Sequence, residues 1–233
     1  MKHYLMICFR MLLILTVISD PSLPAQDLKP TKKLPLIESK SDGDSDYYII
    51  FLTGNGGWKE LAQSVTQYLT SKNIPVLAIN TKKYLWTEKG PAQIACDLEK
   101  LIDQYNIKWC KSRVVFLGYS MGAEVIPFAV NCLEDNYLNQ LNDIILIGPW
   151  QKATFKVNLL DYVMEVNKGA DIYSELLKLK TDSVYIICDD NEISICQKGL
   201  DGVIDHSTMP GGHHFGGDYA GLSKLIGKRL NLE

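Results

Sequence analysis

Short apolar runs rich in β-branched and aromatic residues recur along the chain, at Tyr47–Leu52, Ile74–Ile79, Arg113–Leu117, Asp143–Ile147, Ser183–Ile187 and Val203–Thr208. Most are continuously apolar instead of alternating with polar residues, which suits strands covered on both faces. Between them apolar residues return at helical spacing over Trp58–Ser71, Pro91–Tyr105, Met121–Leu133 and Gly221–Leu230. Strand followed by helix, repeated, predicts an α/β fold, a mostly parallel sheet of about six strands with helices on both faces. Residues 149–181 break the rhythm and leave open a small cap over the sheet or a long connection carrying one helix. Open sheets of this kind hold their ligands at the carboxyl ends of the strands, so chemistry is expected in the loops that leave those ends.

The first residues follow a different pattern. Lys2, His3 and Arg10 precede an apolar stretch from Met11 to Ile18, and Asp20, Pro21, Pro24 and Ala25 follow it. A cationic start, a short apolar centre and a small residue predict a secretory signal peptide over residues 1–25, because a spanning helix needs roughly 20 apolar residues. Residues 26–46, rich in Lys, Pro, Ser and Asp, read as a linker, and 47–233 as one domain. Export changes the meaning of the cysteines: without Cys8 the chain keeps Cys96, Cys110, Cys132, Cys188 and Cys196, an odd set. Cys188 and Cys196 are a plausible local disulfide, with two buried thiols as the alternative. With 46% hydrophobic and 22% charged residues the composition is globular, and a net charge of -3 without a basic run excludes nucleic acid as a partner.

Candidate chemistry begins where the third apolar run ends. Gly118-Tyr119-Ser120-Met121-Gly122 is a G-x-S-x-G pattern set between a strand and a helix. In that setting it forms a sharp turn that lifts the serine hydroxyl above the sheet, as in α/β-hydrolases. Ser120 is the expected nucleophile. A serine needs an imidazole to take its proton, and Pro210-Gly211-Gly212-His213-His214-Phe215 follows the last strand, where that fold delivers its base. His213, directly after the glycine pair, is expected to be the base and His214 is the alternative; His206 lies inside the last strand and reads as structural. The acid should follow the Ser183–Ile187 strand, where Asp190 is expected, with Asp189 and Glu192 as alternatives.

The loop Thr53-Gly54-Asn55-Gly56-Gly57-Trp58 leaves the first strand where an oxyanion hole belongs. The N–H groups of Asn55 or Gly56 together with Met121 are the expected donors. A phosphate cradle is the competing reading, but the P-loop Lys-Ser/Thr is absent and the spacing does not fit a dinucleotide fingerprint. Trp58, Tyr119 and Trp86 are candidate substrate-binding residues, and Lys82, Lys83 and Trp150 lie on the same strand ends. Together they suit an amphipathic anionic substrate and contact with a membrane surface. No cofactor is expected, and no metal, because adjacent histidines rarely share an ion.

The segments Gly54-Asn55-Gly56-Gly57-Trp58, Tyr84-Leu85-Trp86, Gly118-Tyr119-Ser120-Met121-Gly122-Ala123-Glu124 and Pro210-Gly211-Gly212-His213-His214-Phe215 resemble the bacterial virulence family of VirJ and the C-terminal domain of AcvB. The resemblance spans about residues 47–230. It implies an α/β-hydrolase-like domain in the periplasm of a Gram-negative cell. It also implies a link to virulence and type IV secretion and, in the AcvB branch, hydrolysis of lysyl-phosphatidylglycerol. Ser120 and His213 carry over. The chain departs from the family at Asn55, where relatives have Asp, and at Cys188-Asp189-Asp190-Asn191-Glu192, where relatives are Gly-led and Glu-rich. Two functions follow: an exported serine hydrolase acting on an ester such as an aminoacylated phospholipid, or a non-catalytic periplasmic protein that binds a lipid, a secreted protein or a secretion-system component.

Overall fold

The computed structural model describes residues 33–157 and 169–232. Its strands in chain order are β1 (Leu36–Ser39), β2 (Tyr47–Leu52), β3 (Val76–Ile79), β4 (Arg113–Tyr119), β5 (Leu141–Ile147), β6 (Lys152–Ala153), β7 (Ala170–Asp171), β8 (Val184–Cys188) and β9 (Asp205–Thr208). The helices are α1 (Glu60–Ser71), α2 (Thr81–Tyr84), α3 (Pro91–Trp109), α4 (Met121–Val130), α5 (Asp135–Leu138), α6 (Ile172–Leu176) and α7 (Tyr219–Arg229). Seven strands form one sheet in the order β1-β3-β2-β4-β5-β8-β9. All neighbours are parallel except β1, which runs antiparallel to β3. The fold is the expected α/β class, with one strand more than the apolar runs predict.

Alternation along the strands divides the core. Tyr48, Ile50 and Leu52 of β2 point to the face covered by α3 and α4, while Ile49 and Phe51 point to the face covered by α1 and α7. Each fully buried side chain of this size contributes about 1.5–3 kcal/mol relative to exposure. Helix α3 begins at Gly90-Pro91, where proline's missing N–H costs nothing, and stops at Cys110 in the left-handed region (φ 52°). Helix α4 is buried along its whole length, as a central helix under a parallel sheet must be.

One expectation changes. Residues 36–39, read as linker, add β1 to the sheet edge, and Glu38 is tied down by Tyr105 Oη (2.6 Å) and Lys108 Nζ (2.7 Å). Four apolar and polar residues in a charged stretch give no periodic signal, so pairing with β3 decides the matter. In the 149–181 segment, β6 and β7 pair as a small ladder, and Val157 N–H donates to Leu85 O (2.8 Å). The expected signal peptide, residues 1–25, lies outside the described residues. No described helix is long and apolar enough to cross a membrane.

Candidate active site

Helix α4 starts directly after β4, and the turn between them is tight. Ser120 sits at φ 52°, ψ -125°, a conformation few non-glycine residues adopt. The strain is held in place by Ser120 N–H donating to Ile147 O (2.9 Å) and Glu124 N–H donating to Ser120 O (2.9 Å). Crossing β2 requires glycine: a Cβ on Gly122 would lie 2.6 Å from the carbonyl oxygen of Thr53. Ser120 is 7% exposed.

His213 stands on the loop after β9. Its Nε2 lies 2.8 Å from Ser120 Oγ, and its Nδ1 lies 2.8 Å from Asp189 Oδ2. An ionised carboxylate can only accept, so the imidazole hydrogen sits on Nδ1 and Nε2 is left to accept from the serine hydroxyl. Asp189 is buried at 1% exposure and its Oδ1 accepts from Asn191 N–H (3.2 Å).

The expected acid, Asp190, does not reach the imidazole. It is exposed and accepts from Gly212 N–H (2.7 Å) and Gly211 N–H (3.2 Å), which hold its carboxyl below the usual carboxylate range. The reason is strand periodicity. β8 continues through Cys188, one residue beyond the apolar run, with Ile186 and Cys188 facing α4 and Tyr185 and Ile187 facing the other side. Asp189 continues the second series, toward the histidine loop and buried Phe215. Glu192 is exposed, and only its carbonyl is engaged, by Gln151 Nε2 (3.4 Å).

His214, the alternative base, is exposed, with Nδ1 3.1 Å from Tyr119 Oη. The same phenol donates to His213 O (2.9 Å), and its ring stacks on the imidazole at 5.5 Å and 25°. Tyr119, expected to meet substrate, is thus turned to the histidine loop. Trp150 flanks the imidazole too, with ring centroids 5.1 Å apart and Nε1 3.2 Å from Nδ1. Because the Nδ1 hydrogen is given to Asp189, that approach is a ring-edge contact in this tautomer. His206 lies in β9, with Nδ1 3.0 Å from Ile204 O.

The loop after β2 abuts the serine: a Cβ on Gly54 would come within 3.3 Å of Ser120 Cβ. Met121 is the first residue of α4, whose N–H has no carbonyl within the helix to receive it, and Asn55 and Gly56 occupy the adjoining turn closed by Gly57 N–H to Gly54 O (2.9 Å). Trp58 packs against the α1 side of the core, and Trp86 is 51% exposed beside the exposed Lys82 and Lys83.

Two residues escape the motif reading. Gly148, at φ 55°, backs the pair so closely that a Cβ would lie 3.4 Å from His213 Nδ1 and 3.5 Å from Asp189 Oδ2. Glu124 is buried under the elbow, where desolvation pushes its carboxyl up to about 8. A lone acid inside the apolar run Met121–Val130 was the available signal. Cys188 and Cys196 are joined as a disulfide, closing the loop that carries Asp189. Among the described residues no group of three or more His, Cys, Asp or Glu could hold a metal ion.

A family described as bacterial virulence protein (VirJ) matches residues 46–232. Among curated proteins none matches. Solved structures similar to this chain include MenH from S. aureus, at 12% identity and TM-score 0.61 over 84% of this chain and 97% of that one. Est1E from Butyrivibrio proteoclasticus with bound ferulic acid is similar at 10% identity and TM-score 0.55, covering 85% and 96%. An α/β serine hydrolase homologue from Coxiella burnetii is similar at 13% identity and TM-score 0.56, covering 84% and 90%. At these identities the likeness is one of fold: that of the α/β-hydrolases.

Proposed function

The chain belongs to the VirJ family of bacterial virulence proteins, and we propose that it is an exported serine hydrolase cleaving an ester. The observation that carries this reading is the continuous line Ser120 Oγ, His213 Nε2, His213 Nδ1, Asp189 Oδ2, with both links at 2.8 Å. Ser120 attacks the ester carbonyl while Nε2 takes its proton; Asp189 keeps the ring in the accepting tautomer and stabilises the imidazolium. The N–H groups of Met121 and Asn55 receive the tetrahedral oxyanion. The imidazolium then protonates the departing alcohol oxygen, and a water activated by the same Nε2 releases the acyl group from Ser120.

The preferred substrate is the aminoacyl ester of an anionic phospholipid such as lysyl-phosphatidylglycerol. The family resemblance supports it, and so do the exposed Trp86, Lys82 and Lys83, an apolar and a cationic surface suited to an anionic headgroup. The apolar stretch in residues 1–25 and the Cys188–Cys196 bridge support export to an oxidising compartment. A purely binding role has no use for a buried carboxylate aligned behind the imidazole.

The test is labelling with a fluorophosphonate probe, followed by release of lysine from vesicles containing lysyl-phosphatidylglycerol. Wild-type protein labels, and Ser120→Ala and His213→Ala do not. Folded wild-type protein that neither labels nor releases lysine would return the chain to a binding role.

A further inference from the structure

The base hangs on a loop with little stiffness of its own. Gly211 and Gly212, at φ 100° and 68°, lead directly into His213, and glycine loses more freedom on ordering than any other residue. A ring that must meet Ser120 Oγ and Asp189 Oδ2 at once needs its backbone held as well. Two contacts do so. At the surface, Asp190 accepts from the N–H groups of Gly211 and Gly212, just before the histidine. From the core side, Tyr119 Oη donates to the carbonyl of His213 itself (2.9 Å), from a residue only 8% exposed.

Strand β4 dictates where Tyr119 lies. Alternation sends Val115, Leu117 and Tyr119 to the face of the sheet that also carries Ile187 and Phe215, the side of the histidine loop. The phenol ring stacks on the imidazole, with 5.5 Å between centroids and 25° between planes. It also abuts the loop after β2, where a Cβ on Gly54 would come within 3.1 Å of Tyr119 Cδ1. His214 completes the arrangement. Because the phenol hydrogen is given to His213 O, the 3.1 Å approach of His214 Nδ1 is a donation from Nδ1–H to Tyr119 Oη.

We propose that Tyr119 is a positioning residue for His213, its hydroxyl latching the histidine backbone while its ring fixes the plane of the imidazole. The inference rests on His213 serving as the base in ester hydrolysis. It gives Tyr119 a part in proton transfer in place of the substrate contact expected from its position in the motif. Small misplacements of a proton-transferring ring are expensive, on the order of a hundredfold in rate for about 1 Å. A residue that acts in this way changes the reaction of the bound ester and not its binding, so the loss falls on kcat and spares KM.

The experiment measures kcat and KM for p-nitrophenyl acetate with wild-type protein and two variants, folding being checked by circular dichroism. Tyr119→Phe keeps the ring and loses the hydroxyl; Tyr119→Leu loses both. Tyr119→Phe should lower kcat about tenfold and Tyr119→Leu about a hundredfold, each with KM within about twofold of wild type. Folded Tyr119→Phe with wild-type kcat overturns the inference, whatever the leucine variant does. So does a loss of kcat/KM carried by KM, which would return Tyr119 to contact with the substrate. If Tyr119→Leu does not fold, Tyr119→Phe decides alone. In each of these cases labelling of Ser120 in the wild type leaves the hydrolase intact, whereas wild-type protein with neither turnover nor labelling overturns both.

Discussion

At the residue scale the acid is decided by one position. Asp189 and Asp190 are chemically identical, yet one is buried against the imidazole and the other binds two backbone N–H groups at the surface. Asp189→Asn should therefore lower kcat by about 10³–10⁴, whereas Asp190→Asn should keep it within a few-fold, measured on the same ester. Glu124 yields a prediction with a defined sign. Its folded carboxyl holds its proton up to about 8, whereas in the unfolded chain it ionises near the ordinary 4.5. A raised carboxyl means that the folded state binds more protons between these values, so its contribution to stability is full below 4.5 and is lost as pH rises toward 8. Glu124→Gln should accordingly unfold at a higher urea concentration than wild type at pH 7, by an amount on the order of 3 kcal/mol, and the gain should vanish near pH 4.

Elements carry the next level of constraint. The disulfide closes a loop of eight residues' separation that begins at the end of β8 and holds Asp189 in its first position. Removing it with Cys188→Ala/Cys196→Ala should cost about 2–3 kcal/mol in equilibrium unfolding and should lower kcat more than KM, since the loop that presents the acid is loosened. The order of strands and helices was legible because both-face burial writes continuous apolar runs, and the elbow because Gly118, Ser120 and Gly122 answer to steric need. Strand β1 was not, because residues 36–39 acquire their conformation from β3 and not from their own pattern. The acid needed the end of β8 to within one residue, a precision that local propensity lacks where a buried cysteine can belong to strand or turn. Trp150 was visible as a residue type, but its approach to His213 depends on how the loop after β5 folds back.

For the molecule as a whole, the division of labour runs along the strands. Their carboxyl ends carry Ser120, Asp189 and the histidine loop, while at the opposite end Arg229 of α7 donates to Asp143 and to Asp205 (2.9 Å) and ties α7 to β5 and β9. Arg229→Met should thus lower stability while leaving kcat unchanged, as read by urea unfolding beside an ester assay. Export belongs to this scale too. Expressed in a Gram-negative cell, the full chain should fractionate with the periplasm and carry the Cys188–Cys196 bridge, and the chain lacking residues 1–25 should remain cytoplasmic with both thiols reduced. Both outermost strands of the sheet, β1 and β9, are only four residues long. Margins that short leave few open backbone groups for another chain to template on, which guards against runaway strand pairing between copies. A macromolecule that docks on the described residues therefore finds far more surface on loops and helices than along an open strand.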